Sequence, residues 1–388
     1  MNDTGADTAG VLPEILFIWD QFGAYHMDRL EALGAVLEGR ARIVGVELSA
    51  TSTTYGWDVT GTGTRFEKRT LFGTTPVEDL RLHDVARALA REVARPAVRA
   101  VFVSGYERPS HFWAAIAARR RAVRVIVMLD SKHDDKPRRA WLEMVKRALM
   151  APYHGGFAAG KRSADYLRFL GLRRRPVTQG YDTVSLARLR GEAQPATPTA
   201  WTDRPFLAVA RYVPKKNLDF LLHAYADYRV AAQASGRPRA LILCGGGPLE
   251  ASLRRTAAVL GIADAVTFTG FVGQARVAEL LRDALCLLLP SVEEQWGLVV
   301  NEALAFDLPV LLSAGVGATD LLAADGENGF LLSPHDRRGW ADAMRQVAED
   351  EALWCRLSAR SRNLAPLGDV ARFVEGVLPH LPDHAVRR

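Results

Sequence analysis

The sequence predicts an α/β protein with two doubly wound domains, each built on a parallel β-sheet, facing a central crevice. Short runs of aliphatic and β-branched residues alternate with helical patterns throughout, which is typical of parallel sheets joined by crossover helices. The 388 residues exceed what one hydrophobic core usually serves, so we expect two domains. Residues 192–205, rich in Pro, Ala and Thr, lack periodicity and are the expected linker.

The first half of the chain is expected to form one domain over residues 1–191. Its strands are predicted at residues 14–19, 41–48, 99–104 and 124–129. Its helices are predicted at residues 27–37, 77–95 and 112–121. Each strand is short, apolar and followed by a polar or glycine-containing loop, as expected for buried parallel strands.

The second half is expected to form another domain over residues 206–365. Its strands are predicted at residues 206–210, 240–244, 266–268, 286–289 and 310–312. A last segment, residues 366–388, is predicted to be a helical tail that packs back towards the first domain. In such folds, the loops at the carboxyl ends of the strands gather ligands in the crevice.

Composition places the chain among folded proteins of the cytoplasm. Hydrophobic residues make up 48 % and charged residues 24 %. No apolar run approaches the ~18–20 residues that span a bilayer, and the acidic, polar N-terminus is not a secretory signal. The three cysteines are far apart without CxxC spacing, which argues against a disulfide scaffold or a zinc site.

Positive charge is concentrated in one stretch of the chain. Residues 101–200 contain 19 basic and 8 acidic residues, a net charge of +11, whereas the protein as a whole carries +6. Such a stretch is most often a solvated face, less often a contact with an anionic membrane or a nucleic acid. No nucleic-acid motif accompanies it, so we expect no nucleic-acid partner and keep an anionic membrane contact through residues 119–175 as an alternative.

One segment within this stretch has the pattern of an amphipathic helix. Apolar residues recur at helical spacing within residues 137–153, with basic residues on the other faces; they are Trp141, Met144, Val145, Ala148 and Leu149. Most helices of this kind pack on a core, and that is the first expectation. Docking to an anionic membrane, as a peripheral protein of its inner face, is the alternative.

The most informative segment is PSVEEQWGLVVNEALAFDLPVLLS, residues 290–313. A buried strand runs into a polar loop with Glu294, and a helix then begins near Gly297 and contains Glu302. The free backbone N–H groups at the start of a helix attract an anion, and carboxylates bind vicinal hydroxyls in pairs. Two glutamates alone are more often part of a surface loop and a solvated helix.

Two further elements have the character of a phosphate site. Arg211 directly follows a predicted strand and Lys216 comes five residues later, which suits a diphosphate, although such a pair is more often a solvated turn. The segment LILCGGGP, with Gly246 at its centre, allows a tight turn beside a ligand. It matches neither a P-loop nor a GxGxxG fingerprint and is weak alone.

In this order, the elements resemble glycosyltransferase family 4, the group 1 glycosyltransferases. That family carries a strand followed by Arg and Lys, a G-G-G-P turn, an [FV]-x-G-x-V segment and an E-x7-E motif. Here the third element is FTGFV, residues 268–272, and the extended EQWGLVVNEAL match is far more specific than the bare spacing. The resemblance is strong over residues 205–335 and weaker before them, where SKHDDKPRRAW and LGLRRRPVTQGYDTVS look familiar from bacterial members.

The resemblance implies a GT-B fold and a retaining transfer from a nucleotide-activated sugar. Arg211 and Lys216 would hold the diphosphate, and Glu302 the ribose. Glu294 would bind the transferred sugar. The residues implied at the remaining phosphate and base contacts are Gly297, Leu298, Val299, Phe271, Val272 and Gly246. The sequence departs from the family pattern at Phe306 and Asp307, behind the site, and at Gln295, near the sugar, where many members have Gly.

The first domain would then bind a carbohydrate or lipid-linked acceptor. Gly23 and His26 lie in the loop after the first strand, and Asp130 and His133 follow the strand at residues 124–129. Relatives place a polar residue near the donor sugar there, so Asp130 is the first candidate and His133 the second. His26 has the alternative role of capping the following helix, and His133 that of an exposed residue.

No cofactor or metal is expected, because the Asp-x-Asp pattern of metal-dependent transferases is absent: Asp134 and Asp135 are adjacent and Asp130 stands apart. The leaving phosphate would itself take the acceptor's proton. Bacterial polysaccharide or glycolipid assembly is the expected setting, while base, sugar, acceptor and linkage stay open. The alternatives are a non-catalytic nucleotide-sugar-binding protein and an epimerase of the same fold, although the epimerase pattern of catalytic His and Glu is not seen.

Overall fold

The computed structural model describes residues 12–54, 59–193, 197, 199–233, 236 and 238–382. Within these residues the chain forms two parallel β-sheets, of seven and six strands, each flanked by helices. This confirms the predicted fold class. The ends of the chain, residues 1–11 and 383–388, lie outside the described residues, as do residues 55–58. Part of the expected linker, residues 194–196 and 198, does so too, and the domain boundaries stay predictions.

The first sheet has the strand order β3-β2-β1-β4-β5-β6-β7. Its strands are β1 (Glu14–Trp19), β2 (Arg42–Glu47), β3 (Glu67–Thr70), β4 (Val98–Ser104), β5 (Arg124–Leu129), β6 (Gly155–Ala158) and β7 (Val177–Gln179). The helices of this half are α1 (Ala24–Val36), α2 (Leu82–Val93), α3 (Pro109–Arg119), α4 (Ala140–Leu149), α5 (Lys161–Leu167) and α6 (Leu186–Glu192).

The second sheet has the order β10-β9-β8-β11-β12-β13. Its strands are β8 (Phe206–Val209), β9 (Leu241–Cys244), β10 (Val266–Gly270), β11 (Cys286–Leu289), β12 (Val310–Ser313) and β13 (Gly329–Leu332). The helices are α7 (Leu218–Gln233), α8 (Glu250–Val259), α9 (Gln274–Asp283), α10 (Leu298–Ala305), α11 (Arg337–Glu349), α12 (Glu351–Leu364) and α13 (Val370–Val377).

Burial on both faces explains why the central strands are apolar at every position. Along β1, Leu16 and Ile18 enter the core on one face, and Ile15 and Phe17 enter the core on the other. Helix α13 closes the second of these cores, since the ring of Phe373 lies 5.7 Å from that of Phe17. The last described helix of the chain therefore packs on the first domain.

Several elements differ from the sequence-based expectation. The helix expected over residues 77–95 is wrong as a single element: a short 3₁₀ turn, Val77–Asp79, precedes α2. Strands β3, β6, β7 and β13 were not predicted from the pattern. β3 is the polar edge strand EKRT, and β6 begins with two glycines, so neither has the apolar run that marked the other strands.

The core packing expected for the segment 137–153 is also wrong for three of its apolar residues, whereas Leu149 is partly buried against the core of the first domain. In α4 the side chains of Trp141, Met144 and Val145 are exposed by 61 %, 71 % and 50 %. The buried position of the helix is instead Glu143, which accepts hydrogen bonds from Lys146 at 2.9 Å and from the Tyr166 hydroxyl at 2.7 Å. Most of the apolar face of α4 therefore points away from the core.

The strand order determines where ligands bind. In both sheets the order in which strands are added reverses beside the first strand of the domain. The reversal falls between β1 and β4 in the first sheet and between β8 and β11 in the second. Loops on either side of such a switch point diverge at the carboxyl ends of the strands and leave a crevice. The predicted site residues Arg211, Glu294 and Asp130 follow β8, β11 and β5 at this edge.

Candidate functional site

A cavity of about 340 Å³ lies between the two domains at the switch points. The second domain contributes the loops after β8 and β11, and the first contributes α1 and the loop after β5. Four cationic side chains line it: Arg29, Arg211, Lys215 and Lys216. A cavity with this charge attracts an anionic ligand such as a diphosphate.

Lys216 and Glu294 form an ion pair on the wall of this cavity. The carboxylate of Glu294 also accepts a hydrogen bond from the Ser291 hydroxyl at 3.1 Å. The two groups predicted to bind a diphosphate and a sugar thus lie in direct contact, although 78 residues separate them in sequence. Arg211 lies on the same wall, and its Nη1 donates to the Thr54 carbonyl of the first domain at 3.4 Å.

The N-terminus of α10 faces the same cavity. Gly297, Leu298 and Val299 all line it, and Gly297 has a left-handed backbone with φ of +98°. That conformation favours glycine, and a Cβ there would come within 3.3 Å of Glu294 Cγ. The helix dipole and the first N–H groups of α10 therefore add to the attraction for an anion.

Glu302 lies one turn into α10 and does not line the cavity in this structure. Its Oε1 accepts hydrogen bonds from the hydroxyl of Tyr25, across the crevice, and from Gln274 Nε2 at 2.9 Å. Burial raises the pKa of Glu302, and together with the Glu302 carboxylate it also raises that of Tyr25. The carboxylate predicted to bind the ribose thus already accepts hydrogen bonds from two side chains of the protein, one from each domain.

The predicted base-binding residues lie beside the cavity rather than on its described walls. Phe271 is 72 % exposed, and its ring covers Gly246, where a Cβ would lie 2.8 Å from the ring. Gly246 accepts a hydrogen bond from the Tyr212 amide at 2.8 Å, next to Arg211. Val272 is half-buried in the core of the second domain. Their role in binding a base stays a prediction.

A second cavity, of about 400 Å³, opens on the first domain and adjoins the first. His26, Asp130 and Tyr181 line both cavities, so they stand where the two meet. His26 packs against the rings of Trp19 and Phe22, and burial lowers its pKa. Its Nδ1 accepts a hydrogen bond from the Gly23 amide at 2.9 Å, the capping role that was the alternative for this histidine.

Asp130 has the environment of a carboxyl that is difficult to ionise. Burial, and then repulsion by the Asp182 carboxylate, raise its pKa to about 7. Asp182 is itself paired with the buried guanidinium of Arg29 at 3.3 Å. A carboxyl that titrates near neutral pH, at the junction of two cavities, is typical of a functional site.

His133 is not brought to either cavity. Its ring packs against those of Tyr166 and Phe169, at centroid distances of 6.0 Å and 5.4 Å, on the outside of the first domain. Tyr25, Arg29 and Asp182 line the first cavity but were not singled out in the sequence. Arg29 lies in a helix that also contains Asp28 and Glu31, so in the sequence it resembles a solvent-exposed charge, and Tyr25 resembles a surface aromatic residue. Only the three-dimensional contacts reveal them.

Side-chain contacts connect the two domains across the crevice. Arg162 Nε of the first domain donates to Asp320 Oδ1 of the second at 2.5 Å, and its Nη1 lies 3.0 Å from Asp134 of its own domain. Gln295 donates to the Ser131 hydroxyl at 2.9 Å across the same gap. The residue that departs from the family pattern at position 295 is therefore a contact between the two domains.

The comparisons with known proteins agree with this architecture. Residues 192–364 match the family of glycosyl transferases group 1. The chain carries a group 1 glycosyltransferase domain. This confirms the resemblance found in the sequence, and the matched segment contains Arg211, Lys216, Glu294 and Glu302.

A curated relative, the D-inositol 3-phosphate glycosyltransferase of Streptomyces avermitilis, is 38 % identical over 157 residues. That match covers 39 % of this chain and 33 % of the relative, so the chain spans about a third of the length of the curated relatives it matches. Two solved structures share the fold over nearly the whole length. Sucrose-phosphate synthase from Thermosynechococcus elongatus has a TM-score of 0.68 at 18 % identity, covering 94 % of this chain and 96 % of that chain. Anabaena HepE in complex with UDP and glucose has a TM-score of 0.68 at 17 % identity, covering 95 % and 98 %.

Among the residues that the structure describes, no helix combines the length and the apolar character of a bilayer span. They also contain no group of three or more His, Cys, Asp or Glu side chains placed to hold a metal ion. The expectation of a metal-free reaction stays a prediction.

Proposed function

We propose that the protein is a retaining glycosyltransferase that moves a sugar from a nucleoside-diphosphate sugar to an acceptor hydroxyl. The observation that carries this proposal is the pair of adjoining cavities between the domains. One has cations and a helix N-terminus suited to a diphosphate, and the other opens on the first domain. They meet at Asp130, His26 and Tyr181.

The donor is proposed to bind in the first cavity. Arg211 and Lys216 pair with the diphosphate, and the first N–H groups of α10 bind its remaining oxygens. Glu294 then exchanges its contact with Lys216 for hydroxyls of the sugar. Glu302 exchanges its contacts with Tyr25 and Gln274 for the ribose. The UDP in the structure of HepE, a protein of the same fold, supports a nucleotide-activated donor.

The chemical step breaks the bond between the anomeric carbon and the β-phosphate oxygen and forms a bond from that carbon to the acceptor oxygen. Negative charge grows on the β-phosphate as the first bond breaks. Arg211, Lys216 and the N-terminus of α10 stabilise that charge without a metal ion. The acceptor attacks from the same face, and its proton passes to the departing phosphate oxygen, which retains the anomeric configuration.

Asp130 is proposed to position the reacting sugar and the acceptor. It lies at the junction of the two cavities, and its ionised form accepts a hydrogen bond from a hydroxyl of either substrate. Because its pKa is about 7, the ionised fraction rises through the neutral range. Activity is therefore expected to rise with pH in that range.

The test is release of nucleoside diphosphate from UDP-, GDP-, ADP- and TDP-sugars, with NMR assignment of the anomeric configuration of any product. Lys216→Ala is expected to lower turnover at least a hundredfold, since one cation facing the transition state accounts for about 3 kcal/mol. Arg338→Ala, which removes an exposed cation of the second domain, is the control. Inversion, or turnover unaffected by the loss of Lys216, contradicts the proposal.

The setting is proposed to be the inner face of a bacterial membrane, in polysaccharide or glycolipid assembly. On the first domain, four apolar side chains are exposed close to basic residues: Trp141, Met144, Val145 and Phe169. Three exposed arginines lie in the basic stretch of residues 119–175 that contains these side chains: Arg139, Arg147 and Arg173. Exposed aromatic and aliphatic groups among cations suit the interface of anionic lipids, where each cation contributes about 1 kcal/mol.

Partition into vesicles of phosphatidylglycerol and phosphatidylcholine tests this setting. The double change Trp141→Ser and Met144→Ser is expected to lower binding at least tenfold. Val259→Ser, on the 87 % exposed Val259 of the second domain, is the matched control. Equal partition of all three proteins, or equal binding to vesicles without anionic lipid, overturns the membrane setting and leaves the transferase proposal intact.

A further inference from the structure

The second cavity differs from the first in the sign of its charge. Apart from the neutral His26 and Tyr181, its ionisable lining consists of four carboxyl groups and one guanidinium: Asp20, Glu78, Glu107, Asp130 and Arg108. The donor cavity next to it carries four cations against three carboxyls. A phosphate group is therefore attracted to the donor cavity and repelled by the second one.

Part of this negative charge is fixed by the surrounding loop. Glu78 accepts hydrogen bonds from the Ser52 hydroxyl at 2.7 Å, the Thr53 amide at 3.0 Å and the Thr54 hydroxyl at 2.8 Å. These donors lower the pKa of Glu78 well below its usual range. Glu78 therefore stays ionised at every physiological pH.

Two hydrogen-bond acceptors of this cavity have no donor among the described residues. Gln21 is 5 % exposed, and its Nε2 donates to the Ala50 carbonyl at 3.1 Å, but its Oε1 has no partner there. Asp20 Oδ2 accepts from Arg108 Nε at 2.7 Å, while the buried Oδ1 has no hydrogen-bond partner. A buried acceptor without a donor destabilises the protein by ~1–3 kcal/mol. Both oxygens are shielded from solvent, so a ligand that supplies N–H or O–H groups gains this energy once the side chain turns towards the cavity.

The neighbouring His111 does not supply the missing proton. Its Nδ1 lies 3.0 Å from the Ser104 carbonyl, which makes Nδ1 the protonated nitrogen of a neutral ring. The other nitrogen, Nε2, lies 3.6 Å from Asp20 Oδ1 and has no hydrogen-bond partner among the described residues. Burial lowers the pKa of His111, so the ring presents a lone pair rather than a charge to Asp20.

We propose that the acceptor is a polyhydroxylated molecule that carries an ammonium group and no phosphate, of the amino sugar or aminocyclitol class. Its ammonium group binds among Asp20, Glu78 and Glu107, and its hydroxyls donate to Asp130 and, once the Gln21 amide turns towards the cavity, to Gln21. The volume of about 400 Å³ is in the range of small-ligand pockets. The inference rests on the proposed function, and it separates this chain from relatives that are named for D-inositol 3-phosphate.

The test compares acceptors that share a ring and differ in charge. One set is glucosamine, glucose and glucose 6-phosphate; the other is scyllo-inosamine, myo-inositol and D-inositol 3-phosphate. Binding to the full-length protein is measured by NMR at up to about 20 mM, with and without nucleoside diphosphate, and transfer is measured with the active donor. In whichever set binds, the compound with the ammonium group is expected to bind at least about tenfold tighter than the compound with the phosphate group. The affinity of the neutral compound should lie between the two.

Two variants tie the preference to the cavity. Glu107→Gln is expected to reduce the ammonium-over-neutral ratio by about threefold to tenfold. Glu38→Gln, a change of a 78 % exposed carboxylate of the same domain, should leave the ratio unchanged. A best ligand that carries phosphate, equal binding within each set, or no binding by either ammonium compound overturns the inference. Failure of every nucleotide to bind instead overturns the proposed function, and the ranking of acceptors on the protein alone still decides the preference for charge.

Discussion

Replacing Asp130 by Asn is expected to make the protein more stable and less active. In the unfolded chain an aspartate has a pKa of 3.8, whereas in the folded protein burial and Asp182 raise the pKa of Asp130 to about 7. A carboxyl whose pKa is raised on folding costs no stability below the lower pKa. It costs progressively more as pH rises through the interval, and the full amount applies above the higher pKa.

The size of this effect follows from the shift. About three pKa units correspond to ~4 kcal/mol of lost stability at about pH 8, falling to ~2 kcal/mol at about pH 5. Asn has the same shape and no charge, so Asp130→Asn should recover up to this energy, with the larger gain at the higher pH. The variant should also lose the rise of turnover with pH near neutrality, because no carboxylate forms at the junction of the cavities.

The assay is thermal unfolding of the wild type and Asp130→Asn between about pH 5 and pH 8, alongside a pH profile of nucleoside diphosphate release. Glu38→Gln, outside both cavities, is the control for the loss of one negative charge. A stability gain that does not change with pH would refute the reasoning about Asp130. So would a variant that is less stable than the wild type at the higher pH.

Three other changes test the remaining contacts. Tyr25→Phe removes a hydrogen-bond donor that occupies the carboxylate of Glu302. Calorimetry should therefore show nucleoside diphosphate binding up to about tenfold tighter, equivalent to ~1.4 kcal/mol. Weaker binding would mean that the Tyr25 hydroxyl contacts the bound nucleotide. Gly297→Ala forces a Cβ onto a backbone with φ of +98° and should lower stability by ~1–2 kcal/mol and weaken nucleotide binding. Its control is Gly273→Ala, at a glycine with φ of −68° and open space around its Cβ, and equal unfolding temperatures would contradict the assignment. Arg162→Ala removes the pair to Asp320 across the crevice and the pair to Asp134 within the first domain. Hydrogen exchange should then rise in the loops at residues 130–136 and 314–320, while the nucleotide affinity changes less than threefold. Unchanged exchange would show that other contacts hold the domains.

The sequence predicted the fold because its buried strands are uniformly apolar. Strands β1, β5 and β11 were located to the residue, since each is an apolar run that ends at a polar or glycine-containing loop. Strands β6 and β7 escaped prediction because GGFA and VTQ are too short and too weakly apolar to form a pattern. Their positions depend on pairing with β5, a tertiary contact that local propensity does not encode.

The candidate site was likewise predicted only in part from the sequence. Arg211, Lys216 and Glu294 were found because they follow strands of one domain in a familiar order. Tyr25, Arg29 and Asp182 come from the other domain and meet the site only through folding. The exposed apolar face of α4 was misread because its periodicity is that of a core helix, and only the burial of Glu143 shows which face is inside.

The central claim is that the cavity lined by Arg211, Lys216 and the N-terminus of α10 binds a nucleoside diphosphate. Its most direct test is calorimetry of UDP, GDP, ADP and TDP with the wild type and Glu302→Ala, without added metal. The account predicts that one nucleotide binds clearly tighter than the others and that the substitution weakens it at least tenfold, since the ribose loses its carboxylate. If a folded sample bound none of the four, or bound one equally well without the carboxylate of Glu302, the proposed donor site would be contradicted.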